Sequence, residues 1–246
     1  MKGAELGFPR IIGHRGALGH APENTLAGFR RAALFGVRWV EFDVALTRDN
    51  VPVLMHDEMV NRTTNGKGKL AEMTAAAVQE LDAGSWKSAE FAGERVPTLL
   101  EAFETLSALG LGANIEIKPT SGREAETGAL VAKLVASAWP EGLPRPLLSS
   151  FKQEALAAAR DAAPGLARGY LLNRVRGGWQ KEAEALRCVS IHGNQRTLNR
   201  QTAAEIRQAG YRLLSYTVND ASRARLLFDW GVEAVFTDYP DRLLAI

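Results

Sequence analysis

The sequence predicts an α/β protein built as a TIM (β/α)8 barrel. Three observations point there: short apolar runs alternate with amphipathic helical stretches, glycines close those stretches, and eight strand-like runs fit into 246 residues. Strands that alternate with helices make parallel sheets through crossover connections, and eight such units in about 250 residues make a closed barrel. A doubly wound open sheet is the alternative, since it shares the alternation and differs in strand count.

The strands begin near Ile11, Val40, Asn114, Leu147, Gly169, Val189, Leu213 and Ala234. Gly36, Gly110, Gly210 and Gly231 each follow a helical pattern and precede a new strand, where glycine ends helices in the left-handed conformation. Two segments break the rhythm. The run through Glu41-Phe42-Asp43-Val44 is followed, after a turn near Asp49-Asn50, by a second apolar run from Val51 to His56. Parallel neighbours need a crossover of about a dozen residues or more, so these two runs predict an antiparallel hairpin. The hairpin brings His56 opposite Glu41 to Asp43. The second break, about residues 58–96, lacks a barrel strand and reads as an insertion over the barrel mouth, contributing to substrate access. The whole of 1–246 is expected to be one barrel domain carrying that insertion.

A formal net charge of +2, with no basic or acidic block, argues against nucleic acid or an acidic membrane as partner. The one cysteine, Cys188, lies in an apolar run and reads as a small buried residue. No run approaches the roughly 20 apolar residues of a membrane span, and the N-terminal stretch lacks the apolar core of a signal peptide. The expectation is a cytoplasmic protein.

Parity places the chemistry. Glu41 and Asp43 are two apart in a strand and share one face, while Val40, Phe42 and Val44 take the other. Asn114-Ile115-Glu116-Ile117-Lys118-Pro119 repeats the pattern and puts a third inward carboxylate near a strand's C-terminal end, where such barrels keep their sites. Buried carboxylates need neutralising partners. Three oxygen donors without cysteine suit a hard cation, Mg²⁺ or Ca²⁺, with Mn²⁺ also acceptable; ion pairs at the rim are the other reading. His14 and His56 reach the same rim and suit an acid/base pair, whereas His20 reads as structural and His192 is undecided. Arg15 and Lys118 add positive charge. Three carboxylates against one divalent cation, Arg15 and Lys118 leave a balance of one positive charge, which suits a phosphodiester monoanion. Gly66-Lys67-Gly68-Lys69 lacks the phosphate-loop spacing, and no Gly-x-Ser-x-Gly elbow occurs.

His14-Arg15-Gly16, Pro22-Glu23-Asn24-Thr25, Glu41-Phe42-Asp43-Val44, His56-Asp57 and Glu116-Ile117-Lys118-Pro119 resemble, in order and spacing, the glycerophosphodiester phosphodiesterase family. Tyr216-Thr217-Val218-Asn219 and Phe236-Thr237-Asp238-Tyr239-Pro240 look like its late-strand motifs. Asp82-Ala83-Gly84-Ser85-Trp86, Leu148-Ser149-Ser150-Phe151 and Cys188 to His192 are similar to its short cytosolic bacterial members associated with glycerol 3-phosphate uptake. The resemblance implies that Glu41, Asp43 and Glu116 bind a divalent metal and that His14 and His56 are the acid/base pair. It also implies that Arg15 and Lys118 hold the phosphate, Asn24 helps to position the site, and Tyr216, where relatives often carry Trp, meets the glycerol. Asn24 is also a candidate helix N-cap. The implied activity is hydrolysis of glycerophosphodiesters, such as glycerophosphocholine and glycerophosphoethanolamine, to sn-glycerol 3-phosphate and an alcohol. The implied partner is that small molecule, with no nucleic acid and no membrane; a homodimer is left open. Alternatives are a phospholipase-like lyase on lipids and a non-catalytic barrel that binds glycerophosphodiesters.

Overall fold

The computed structural model describes residues 6–246. Among the described residues nine strands run β1 (Ile11–Gly13), β2 (Trp39–Leu46), β3 (Pro52–Leu54), β4 (Gly112–Ile117), β5 (Leu147–Ser150), β6 (Ala167–Leu172), β7 (Ser190–Asn194), β8 (Arg212–Tyr216) and β9 (Ala234–Thr237). Neighbours run in the order β1-β9-β8-β7-β6-β5-β4-β2, and β1 also pairs β2 in parallel, which closes an eight-stranded ring. β3 lies outside the ring, antiparallel to β2 with Val44 opposite Leu54. The barrel and the hairpin are therefore as the sequence predicts.

Helices α1 (Leu26–Leu34), α2 (Ala75–Gln79), α3 (Leu99–Leu109), α4 (Glu124–Ala138), α5 (Gln153–Ala162), α6 (Trp179–Ala185), α7 (Arg200–Gln208), α8 (Ala221–Asp229) and α9 (Pro240–Leu243) complete the order. Thr98 and Glu101 form a reciprocal capping box that starts α3, and Gly110 in the left-handed conformation ends it. Among the described residues no helix is long and apolar enough to cross a membrane.

Strand alternation sorts the side chains into two layers. Val40, Phe42, Val44, Ile115 and Ile117 face outward into an apolar layer with Phe29, Phe103 and Leu106 of the surrounding helices. Inward residues Ile12, Trp39, Leu147, Leu214 and Phe236 form an apolar plug. Polar pairs share these inward faces: the Asn114 amide, level with Leu147, donates to Ser149 Oγ at 2.9 Å, and Ser190 Oγ lies 3.0 Å from Nε2 of His192, level with Leu214. The carboxylates follow at the C-terminal ends.

Residues 58–96 pack an apolar cluster of Val60, Leu70, Val78, Ala83 and Val96 onto Ala45, Val53 and Met55 of the hairpin. The Asp82 carboxylate ties their second half together, accepting backbone N–H groups of Gly84, Ser85 and Gly93 at 2.8, 2.7 and 2.8 Å. The Asp82-Ala83-Gly84-Ser85-Trp86 stretch is thus an organised loop.

Candidate active site

β1 ends in a sharp turn. A Cβ on Gly13 would lie 2.0 Å from the Gly16 carbonyl oxygen, so only glycine fits there. Arg15 takes a positive φ of 49°, a region costly for a residue with a side chain. The turn aims the Arg15 backbone N–H at Glu41 Oε2, 2.9 Å away. It also places the guanidinium 2.6 Å from Glu23 Oε1 and 3.2 Å from Asp43 Oδ2. The second is a charge contact, since Arg15 Nε has no hydrogen-bond acceptor in line.

Asn24, also left-handed at φ 56°, gives both ends of its amide to Asp43. Its Nδ2 donates to Asp43 Oδ2 at 2.9 Å and its Oδ1 accepts the Asp43 backbone N–H at 3.0 Å. The expectation that Asn24 caps a helix is overturned. A cap needs extended backbone, and Thr25 supplies it, accepting from Gly28 N–H at 3.2 Å.

Glu41, Asp43 and Glu116 are all buried, with one oxygen of each within 4.8 Å of the others. The β2–β4 register sets Asp43 opposite Glu116. Burial, then repulsion from Asp43 and Glu116, pushes the Glu41 carboxyl well above the usual carboxylate range. Burial, then Asp43, pushes Glu116 up to about 7. Asp43 goes the other way: burial opposes its ionisation, but Arg15 and Lys118 outweigh that and hold it low. Lys118 Nζ stands 3.1 Å from Glu116 Oε1 and 3.8 Å from Asp43 Oδ1. Three buried oxygen donors, two of them reluctant to ionise, form a set that a hard divalent cation fits and relieves.

Both predicted histidines stand at this rim. His14 Nδ1 is 2.6 Å from Asp238 Oδ1, and His56 Nδ1 is 2.6 Å from Asp57 Oδ1. An ionised carboxylate only accepts, so each neutral ring carries its proton on Nδ1 and keeps Nε2 for the site. His14 Nε2 lies 3.9 Å from Glu41 Oε2. The hairpin seats His56 as predicted, with the preceding Met55 N–H donating to the Asp43 carbonyl at 3.1 Å. Burial lowers the His56 pKa, an effect that Asp43 partly offsets.

Tyr216 ends β8 and meets Phe151 edge to face, with ring centroids 5.6 Å apart. Burial and then the Glu116 charge push its hydroxyl upward. A cavity of about 200 Å³ opens beside this wall, lined by His56, Glu58, Glu116, Lys118, Phe151 and Lys152. His20 binds Asp241 at 2.7 Å and packs against Phe35 and Tyr239, as a structural residue does. His192 is fully buried within the barrel and does not line the cavity, and Cys188 is a buried thiol pushed up to about 12.

Sequence reasoning did not assign Glu23, Asp57, Arg62, Asn219 and Asp238 to the site. Asp57 directly follows His56 and Asp238 directly follows β9, so adjacency could have found those two. Glu23 and Arg62 lie outside the strands, where a lone charge reads as solvated. They correct the charge ledger: Glu23, Asp57 and Asp238 add three carboxylates and Arg62 one cation, so the single positive balance does not hold. The bonds of Arg62 tie the 58–96 segment to Asp57, the carboxylate that holds His56.

Residues 14–242 match the glycerophosphoryl diester phosphodiesterase family. The chain belongs to this family. It is accordingly a phosphoric diester hydrolase by descent. A glycerophosphodiester phosphodiesterase of Caldanaerobacter subterraneus is 34% identical over 95% of this chain and 96% of its own. One from Bacillus subtilis is 33% identical over 98% of this chain and 87% of its own. Among solved structures, an Oleispira antarctica phosphodiesterase in complex with the product sn-glycerol-3-phosphate is 43% identical. It superposes with a TM-score of 0.93 over 96% of each chain. The family fold is the closed barrel seen here.

Proposed function

We propose that this chain hydrolyses glycerophosphodiesters, such as glycerophosphocholine and glycerophosphoethanolamine, to sn-glycerol 3-phosphate and a free alcohol. The observation that carries this reading is one rim holding three buried carboxylates and two histidines, each with its Nδ1 held by a carboxylate. The product bound to the Oleispira antarctica relative supports the same substrate class. Glu41, Asp43 and Glu116 would hold the cation, Mg²⁺ or Ca²⁺, with Mn²⁺ also acceptable to oxygen donors. When bound, the cation would offset charge developing on the phosphate oxygens.

The chain's own groups do the rest. Lys118 and Arg15 hold the diester's phosphate by charge, and Asn24 fixes the Asp43 carboxylate through two hydrogen bonds. One histidine, neutral, accepts at Nε2 a proton from the attacking hydroxyl or water, and the other, entering the step protonated on both ring nitrogens, donates its Nε2 proton to the leaving alcohol oxygen. Tyr216 and Phe151 form the aromatic wall on which the glycerol side rests. A cytoplasmic location belongs to the same reading.

The test is turnover of glycerophosphocholine by His14→Ala and His56→Ala. Each loses about 10²–10⁴-fold in kcat, the usual contribution of one acid or base, with the fold intact by circular dichroism. His20→Ala stays near the parent. Parent-level turnover by His56→Ala or His14→Ala contradicts the assignment.

A further inference from the structure

The two histidines are oriented by different means. Asp238, which holds His14, follows β9 and is steadied by Asn219 Nδ2 at 2.7 Å. Asp57, which holds His56, lies beyond the hairpin and leans on a residue of the 58–96 segment. Arg62 Nε donates to Asp57 Oδ2 at 2.6 Å and its Nη2 to Asp57 Oδ1 at 3.1 Å. The same guanidinium turns its other edge to Glu23, with Nη1 to Oε2 at 2.7 Å and Nη2 to Oε1 at 2.8 Å. Glu23 in turn takes Arg15 Nη1 at 2.6 Å.

These contacts form one line: Arg15, Glu23, Arg62, Asp57, His56. Arg62 sits at its centre. It closes a short 3-10 turn, Val60–Arg62, whose Val60 is buried in the insertion's apolar cluster. Thr64 Oγ1 donates back to the Val60 carbonyl at 2.7 Å and pins the turn. Glu23 is almost wholly buried, so it is a fixed anchor, while the Arg62 side chain is 47% exposed. A half-exposed ion pair adds little stability. A planar fork that grips two carboxylates at once, however, fixes their orientation.

We propose that Arg62 is the positioning residue for His56. It holds the Asp57 carboxylate plane so that Oδ1 meets Nδ1 and the imidazole presents Nε2 to the substrate. The 58–96 segment thereby takes part in the rate of the chemical step and not only in access. The inference rests on the proposed role of His56, and its test separates the two.

The test compares the enzyme, saturated with Mg²⁺ or Mn²⁺, as parent, Arg62→Gln, Asp57→Asn, His56→Ala and the pair His56→Ala with Arg62→Gln. Glycerophosphocholine is the substrate. Arg62→Gln lowers kcat about tenfold to a hundredfold, the range typical of losing an orienting partner, with KM little changed. Asp57→Asn gives a similar loss. In the His56→Ala background, Arg62→Gln costs nothing further, because the group it orients is gone. Guanidinium ion added to Arg62→Gly restores part of kcat. Parent-level kcat in Arg62→Gln overturns the proposal. So does an Arg62→Gln loss that persists undiminished beside His56→Ala, which would place its action at Glu23 and Arg15. Should Arg62→Gln fail to fold, Asp57→Asn decides alone: parent-level kcat there removes the link between Arg62 and His56. Parent-level turnover by His56→Ala defeats the histidine assignment itself and is recognisable separately.

Discussion

Glu116 shows how far a single position could be read. It was legible from parity: inward on its strand, two residues before Lys118 and near the strand's C-terminal end. Its consequence was not legible, because the push of its carboxyl to about 7 depends on burial and on Asp43 lying opposite in the β2–β4 register. A divalent cation must displace the proton held on that carboxyl. The protonated form dominates below about pH 7, so cation affinity falls as pH drops through that value and binding near neutrality releases protons. Glu116→Gln is expected to lower both affinity and turnover by orders of magnitude. Calorimetric titration with Mn²⁺ in buffers of different ionisation enthalpy checks this; unchanged affinity in the variant would count against it. The contacts that Asn24 and Arg62 make were hidden from the sequence for a common reason. Their partners lie 19 and 39 residues away, Asp43 for one and Glu23 for the other, and no local periodicity records a contact made through a loop.

The β2–β3 hairpin was readable because a short polar turn between two apolar runs permits only an antiparallel return. The internal structure of the 58–96 segment was not, since short 3-10 turns and a five-residue helix leave no period in the sequence. β7 carries a different consequence. His192 is sealed in the barrel with its pKa pushed down by burial to about 3, against an ordinary 6.5. Between those values the unfolded chain takes up a proton that the folded chain refuses. Stability from this site is therefore complete above about pH 6.5 and is lost as pH falls toward 3, by at most roughly 5 kcal/mol. Urea unfolding of the parent and His192→Leu, followed from about pH 7 down to pH 4, measures it. The variant's stability should decline less steeply with acid; equal slopes would refute the burial argument.

At the scale of the molecule, the closed ring brings β1, β2, β4, β8 and β9 to one mouth, where residues more than 200 apart meet as His14 and Asp238 do. The fold was legible because strand and helix alternate with regular punctuation. The donor set was legible because barrel strands point alternate residues inward. What specificity follows is set by the mouth: charge converges on the phosphate, and beyond Phe151 of the glycerol wall the cavity offers Glu58 and Lys152 but no aromatic cage for choline. Glycerophosphocholine, glycerophosphoethanolamine and glycerophosphoglycerol should be cleaved with kcat/KM within about tenfold of one another, roughly 1.4 kcal/mol. Bis(p-nitrophenyl) phosphate, which lacks glycerol, should be far poorer despite its better leaving group. A strong preference for one head group would redraw the pocket. The most direct measurement of the central claim is glycerol 3-phosphate release from glycerophosphocholine by protein stripped with chelator, then titrated with Mg²⁺, Ca²⁺ or Mn²⁺. The stripped protein should be inactive, and activity should return in parallel with cation bound at Glu41, Asp43 and Glu116. Full turnover with no bound metal by elemental analysis would contradict the account.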